Sequence, residues 1–254
     1  MRTNPKLCFV ALLCFMQLIS CKKESTSMPV TSSSVNEVVA KARLVAWYKF
    51  TNGNTGDFSG NNNHLTAYNV TRTTDYLGRP NNAVAFNGFS SFMQAANSAS
   101  LNPSKISLVA LVKSKGYTGN GADSRILMKG IDDQSDGTYF LGYNNSGTIY
   151  GTYGNNQYES NGVPTPPNSL QFDKWYKLIY TYDGKVGKLY IDGALVGQNN
   201  KVATFTPNND FLRIGTTGRS DYPYWFNGAI DEIRIYNSAL TPNQVILVTN
   251  ELGK

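Results

Sequence analysis

The 254-residue sequence is poor in the residues that carry covalent support or catalysis. It holds three cysteines and one histidine. Cys8 and Cys14 lie in an N-terminal apolar run and Cys21 directly follows it. With that run removed as a signal, one cysteine remains, and a disulfide framework is excluded. Stability must then come from core and sheet, with or without a metal, rather than from cross-links. The single histidine, His64, sits in a polar loop and reads as a hydrogen-bonding residue rather than a catalytic base. Charged residues make up 16% of the chain, and the basic ones are scattered, with no cluster beyond Lys22-Lys23. That excludes a nucleic-acid surface. The apolar run, Leu7 to Ile19, is too short to cross a membrane as a helix. Helix formers are scarce.

What is present begins with that run. Arg2 and Lys6 precede it, and Leu18-Ile19-Ser20-Cys21 closes it. A basic start, a short apolar segment and a small residue before cysteine resemble a bacterial lipoprotein signal. The expectation is a signal peptide over 1–20, lipidation of Cys21, and a flexible Ser/Thr/Val-rich tether over 21–42. Loss of Arg2 and Lys6 leaves 21 basic against 17 acidic residues, a net charge of +4.

From Arg43 onward Tyr, Thr, Val, Ile, Gly and Asn dominate, which favours strands joined by turns. Strands are predicted at Leu44–Phe50, Ala83–Phe86, Ser91–Gln94, Ile106–Lys113, Arg125–Ile131, Tyr139–Tyr143, Thr148–Tyr153, Trp175–Tyr182, Lys188–Ile191, Ala194–Val196, Phe211–Gly215 and Phe226–Tyr236. Asn87-Gly88 reads as a hairpin signal, and Asp192-Gly193 as a two-residue hairpin turn. Thr241-Pro242-Asn243-Gln244 is a capping box opening a short helix, about Pro242 to Glu251. A dozen short strands with turns between them predict an all-β sandwich or jelly roll in one domain, 43–254.

Several segments then match a known pattern in order. Leu44-Val45-Ala46-Trp47-Tyr48-Lys49-Phe50, the loop containing Asp57, Ser59, Gly60, Asn61, Asn63 and His64, and Ala85-Phe86-Asn87-Gly88 resemble the start of a laminin-G-like domain. Trp175 to Gly184, Leu189-Tyr190-Ile191-Asp192-Gly193, Leu212-Arg213-Ile214-Gly215 and Phe226 to Tyr236 continue it. The resemblance implies a concanavalin A-like jelly-roll β-sandwich with a short C-terminal helix. It also implies carbohydrate binding, with or without attachment to carbohydrate-active enzymes. A lipoprotein signal before such a domain resembles the Bacteroidetes pattern of glycan-handling outer-membrane lipoproteins. The residues leave open whether the domain faces the periplasm or the cell surface.

Three sites follow. In Phe226–Tyr236, alternation puts Ala229, Asp231, Ile233 and Ile235 on one face, and Ile230, Glu232, Arg234 and Tyr236 on the other. Asp231 is then a carboxylate on an apolar face, which is costly without a partner. The jelly roll makes first and last strands neighbours, so Asp57 and Asp231 are expected to share a structural Ca²⁺. The glycan site is expected at Arg219, Tyr222 and Tyr224, in an aromatic and polar loop where ring faces can stack on sugar C–H groups. Tyr117, Tyr143, Tyr153 and Tyr158 are weaker candidates, and Trp47, Trp175 and Trp225 read as core. The third site is catalytic, and nothing fits it. The Glu-x-Asp-x-x-Glu strand of related glucanases is missing, and Asp231 and Glu232 are expected on opposite faces. Asp132, Asp133 and Asp136 read as a turn. The expectation is a non-catalytic, lipid-anchored carbohydrate-binding module. A glycoside hydrolase or polysaccharide lyase, and a protein-binding adhesion domain, are the alternatives.

Overall fold

The computed structural model describes residues 43–117, 123–131, 135–156 and 160–254, with Met1 and Lys41. The signal, Cys21, nearly all of the tether, Asp132, Asp133 and Tyr158 lie outside the described residues. Among the described residues fifteen strands are present: β1 (Leu44–Tyr48), β2 (Thr66–Tyr68), β3 (Thr71–Thr73), β4 (Ala83–Asn87), β5 (Phe92–Ala95), β6 (Ile106–Ser114), β7 (Asp123–Lys129), β8 (Thr138–Asn144), β9 (Ile149–Gly154), β10 (Val163–Pro164), β11 (Trp175–Tyr182), β12 (Gly187–Ile191), β13 (Ala194–Asn199), β14 (Leu212–Ile214) and β15 (Asn227–Tyr236). A helix, α1 (Pro242–Glu251), follows them.

Two antiparallel sheets stack face to face. The eight-stranded sheet runs β13-β12-β11-β6-β15-β4-β3, with β1 also on β15. The seven-stranded sheet runs β10-β9-β8-β7-β14-β5-β2. Between them lies the main core, built from the inward residues of both, among them Tyr48, Phe86, Leu108, Tyr139, Tyr180 and Leu212. A second core forms on the outer face of the eight-stranded sheet. There Val245, Val248 and Leu252 of the C-terminal segment cover Val109, Leu111, Ile179 and Tyr236. Each such aliphatic burial contributes about 1.5–3 kcal/mol. The capping box holds: Gln244 Oε1 accepts from Thr241 N at 2.9 Å, and Thr241 Oγ1 from Gln244 N at 3.4 Å.

The Asp192-Gly193 hairpin forms as expected, both residues taking positive φ (51° and 86°) between paired Ile191 and Ala194. Asn87-Gly88 does not form a hairpin. Strand β4 belongs to the eight-stranded sheet and β5 to the seven-stranded one, so this corner carries the chain across the core. Asn87 Oδ1 accepts from the backbone N–H of Phe89, Ser90 and Ser91 at 2.9–3.0 Å. That side chain replaces the strand-to-strand bonds a hairpin would have made.

The alternation expected in β15 also fails, at one place. Its register against β6 shifts between Ile230 and Glu232, a β-bulge at Asp231. Ile230 before the bulge and Ile233 and Ile235 after it all enter the main core. The extra residue resets the period-two pattern, so Asp231 does not share a face with Ile233.

Candidate functional site

The bulge gathers charge on the outer face of the eight-stranded sheet. Asp231 and Glu232, expected to point apart, line one pocket of about 50 Å³ with Trp47, Lys49, Arg79 and Arg234. Asp231 Oδ2 accepts from Tyr76 N at 3.0 Å. Burial pushes its carboxyl up to about 6, and the nearby charges of Asp75 and Glu232 add to the shift. Glu232 Oε1 accepts from Trp47 Nε1 at 2.5 Å and from Arg234 Nε at 2.6 Å, and its Oε2 from Gly253 N at 3.2 Å. Arg234 Nη1 reaches Glu251 Oε2 at 2.9 Å. The ring of Trp47 has Lys49 Nζ at 4.1 Å and the Arg234 guanidinium at 4.9 Å from its centroid. Trp47, Glu232 and Arg234 thus satisfy one another, whereas Asp231 accepts a single hydrogen bond among the described residues.

Asp57 is occupied in a different way. Oδ1 accepts from Trp47 N at 3.0 Å and Ser59 N at 2.8 Å; Oδ2 accepts from Ser59 Oγ at 2.8 Å and Asn63 N at 3.0 Å. Four donors aimed at one carboxylate are a poor seat for a cation, which needs those lone pairs itself. Among the described residues no group of three or more Asp, Glu, His or Cys could hold a metal ion. The residues present therefore do not fit the calcium site expected of Asp57 and Asp231. Asp57 instead pins the 57–63 loop to the exposed edge of β1. His64, in the same loop, accepts from Asp57 N through Nδ1 at 3.0 Å.

The expected glycan residues lie on the seven-stranded sheet, in the loop from β14 to β15. Arg219 pairs with Asp221, with Nε 2.8 Å from Oδ1. Its guanidinium also lies 5.2 Å from the ring of Tyr222, which is half exposed. Tyr224 takes a left-handed φ of 44°, a conformation that costs an ordinary residue about 1–2 kcal/mol. Arg125 holds it there. The Arg125 backbone N–H donates to Tyr224 O at 2.9 Å, and its guanidinium lies 4.6 Å from the Tyr224 ring and 4.2 Å from Phe140. Only 1% of Arg125 is exposed.

This loop walls an open groove of about 460 Å³ on the sheet's outer face. Phe92 and Gln94 of β5, Arg213 of β14, and Thr217, Arg219 and Trp225 of the loop line it. Their placement follows from strand alternation: Met93 and Ala95, alternating with Phe92 and Gln94, face the core, as do Leu212 and Ile214 on either side of Arg213. The aromatics form a row. Tyr68 stacks on Phe92 (4.4 Å between centroids, 11° between planes), and Phe92 packs 6.1 Å from Trp225. Arg219 therefore belongs to the groove. Tyr222 and Tyr224 belong to the loop that shapes it.

Other expectations are corrected. Trp225 is a half-buried groove residue and not core, and Trp47 is half buried beside charged groups; Trp175, also half buried, packs against the second core as expected. Tyr143 and Tyr153 are buried, with hydroxyls bonded to Ser114 and Pro103, and offer no platform. Tyr117 packs half-buried against the core. Sequence reasoning missed Phe92, Gln94 and Arg213. The alternation Phe92-Met93-Gln94-Ala95 was the available signal.

No curated protein sequence matched the chain. Among solved structures, domain 4 of AbnA, a GH43 extracellular arabinanase from Geobacillus stearothermophilus in complex with arabinotriose, is similar at TM-score 0.60 and 22% identity, over 82% of this chain and 98% of that one. The binding domain of Paraclostridial Mosquitocidal Protein 1 is similar at TM-score 0.66 and 16% identity, over 83% of this chain and 52% of that one. A structure of botulinum neurotoxin type C, whose cell entry depends on interaction with two ganglioside molecules, is similar at TM-score 0.67 and 14% identity, over 86% and 53%. The chain thus spans about half the length of the two toxin chains. At these identities the likeness is one of fold. The sequence itself matches a family profile over residues 86–246, most of the two stacked sheets, and the chain belongs to the concanavalin A-like lectin/glucanases superfamily.

Proposed function

We propose that the chain is a non-catalytic carbohydrate-binding module, anchored to a bacterial outer membrane through a lipid on Cys21. The observation that carries the reading is the groove on the seven-stranded sheet, where Phe92 and Trp225 form an aromatic floor beside Gln94, Arg213 and Thr217. Sugar recognition needs a flat aromatic face for ring C–H groups and polar groups that fix orientation. Its volume of about 460 Å³ falls within the usual range for small-ligand sites. The arabinanase domain bound to arabinotriose and the ganglioside-dependent toxin support the choice of carbohydrate as ligand class.

An enzyme reading has one observation in its favour: Asp231 and Glu232 share a pocket, and Asp231 has a raised pKa. Two things oppose it. A pocket of about 50 Å³ does not admit a sugar ring, and Glu232 is committed to Trp47, Arg234 and Gly253.

The test is a glycan array on the protein and on Trp225→Ala. Binding to at least one glycan, lost in the variant, is expected. Absence of any binding, or binding unchanged by the substitution, rejects the reading. For the anchor, metabolic labelling with a fatty acid should mark the chain and fail on Cys21→Ser.

A further inference from the structure

We propose that the groove takes an acidic sugar, with Arg213 receiving a carboxylate or sulfate group and Trp225 stacking on the ring that carries it. The inference rests on the groove being the carbohydrate site and names the ligand class. Its starting point is the charge of the lining: two guanidinium groups, Arg213 and Arg219, and no carboxylate. Arg219 already has its anion in Asp221. Arg213 does not.

Arg213 sits mid-sheet, opposite Gln94 on β5 and Met128 on β7. Its guanidinium has five N–H donors. Among the described residues it makes one hydrogen bond, Nη1 to Gly130 O at 3.2 Å, and no ion pair. It lies 5.3 Å from the ring of Phe211. Gly218 makes room for it, since a Cβ at that position would come within 2.8 Å of Nη1. Burial lowers its pKa, and Asp210 nearby offsets part of that effect without bonding to it. A partly desolvated guanidinium on an aromatic ring, with most of its donors unused and open to a groove, suits a bidentate anion. Hydroxyls of a neutral sugar can accept its hydrogen bonds but cannot offset its charge. Phe92 and Trp225, in the same groove, supply the surface for the ring.

The experiment uses the full chain and pairs of glycans that differ only in charge. Polygalacturonate and alginate oligomers are titrated beside their carboxyl-reduced forms, and a sulfated galactan oligomer beside its desulfated form. The expected result is at least a tenfold preference for one charged member over its neutral twin, weakened by raising NaCl from 50 to 500 mM. The carboxylate and sulfate arms identify which anion is taken. Arg213→Gln should abolish the preference, so that on this variant the charged member binds no more tightly than its neutral twin. Arg213→Lys, which keeps the charge but loses the fork, should retain part of it and guards against a folding defect in the first variant. Equal binding of charged and neutral twins overturns the proposal and leaves the carbohydrate reading standing. So does a charge preference that survives Arg213→Gln. Absence of binding to any glycan overturns both.

Discussion

On the outer face of the eight-stranded sheet a tryptophan, an arginine and a glutamate satisfy one another. On the outer face of the seven-stranded sheet a tryptophan and an arginine do not. Trp47 donates to Glu232, which also takes Arg234, and two cations lie within reach of its ring. Trp225 and Arg213 share an open groove with Phe92 and have no carboxylate between them. The first set closes the fold where the first and last strands meet beneath the C-terminal residues. The second leaves donors and ring surface facing solvent. Residue type therefore does not separate structure from site in this chain; completeness of partnering does.

The largest expected effect breaks the closed face. Removing Glu232 leaves Arg234 nearly buried (6% exposed), with Glu251 as its one anionic partner among the described residues. Glu232→Ala should lower unfolding stability by about 3–5 kcal/mol in a urea titration. A loss below about 1 kcal/mol would mean this network is decoration and the contrast between faces fails.

Next is the open face. Trp225→Ala should weaken glycan binding by about 2 kcal/mol, roughly thirtyfold in Kd, while the unfolding midpoint moves little. Stability lost in proportion to binding would return Trp225 to the core.

These two cases also show what could be read beforehand. Most of the strands, the short β3 and β10 excepted, the Asp192-Gly193 hairpin, the helix with its Thr241–Gln244 cap and the pairing of first and last strands were legible, because each rests on local pattern or on family resemblance. Asp231 misled because a bulge costs one residue of register and leaves no mark in composition. Asn87-Gly88 misled because a turn residue specifies a reversal, not which sheet receives the next strand. Trp225 read as core because a large aromatic fits either a core or a platform until its neighbours are known. Arg219 was recoverable from its loop. Arg213 was hidden inside a strand that looked purely structural.

A smaller effect sharpens the account of the closed face. The folded pKa of Asp231 is raised to about 6, above the ordinary carboxylate value, so the folded state holds this proton more tightly than the unfolded chain does. Its favourable contribution is complete below about pH 4 and is lost as pH rises through about 6. Asp231→Asn should therefore stabilise the protein by about 1–2 kcal/mol at pH 7.5 and by almost nothing at pH 4. Melting curves of both forms across that range check it, and a gain independent of pH would contradict the assignment.

The smallest effect concerns calcium. With four protein donors on Asp57, adding Ca²⁺ or a chelator should shift the melting temperature by less than about 1 °C. A stabilisation of several degrees would show that the carboxylate surrenders those bonds to an ion.

The most direct test of the contrast between the faces is an NMR titration of the protein with a glycan that binds on the array. The account predicts shift changes at the backbone amides of Phe92, Gln94, Arg213 and Thr217 and at the Trp225 indole N–H. Changes concentrated at Trp47, Asp231 and Arg234, with the groove silent, would contradict it.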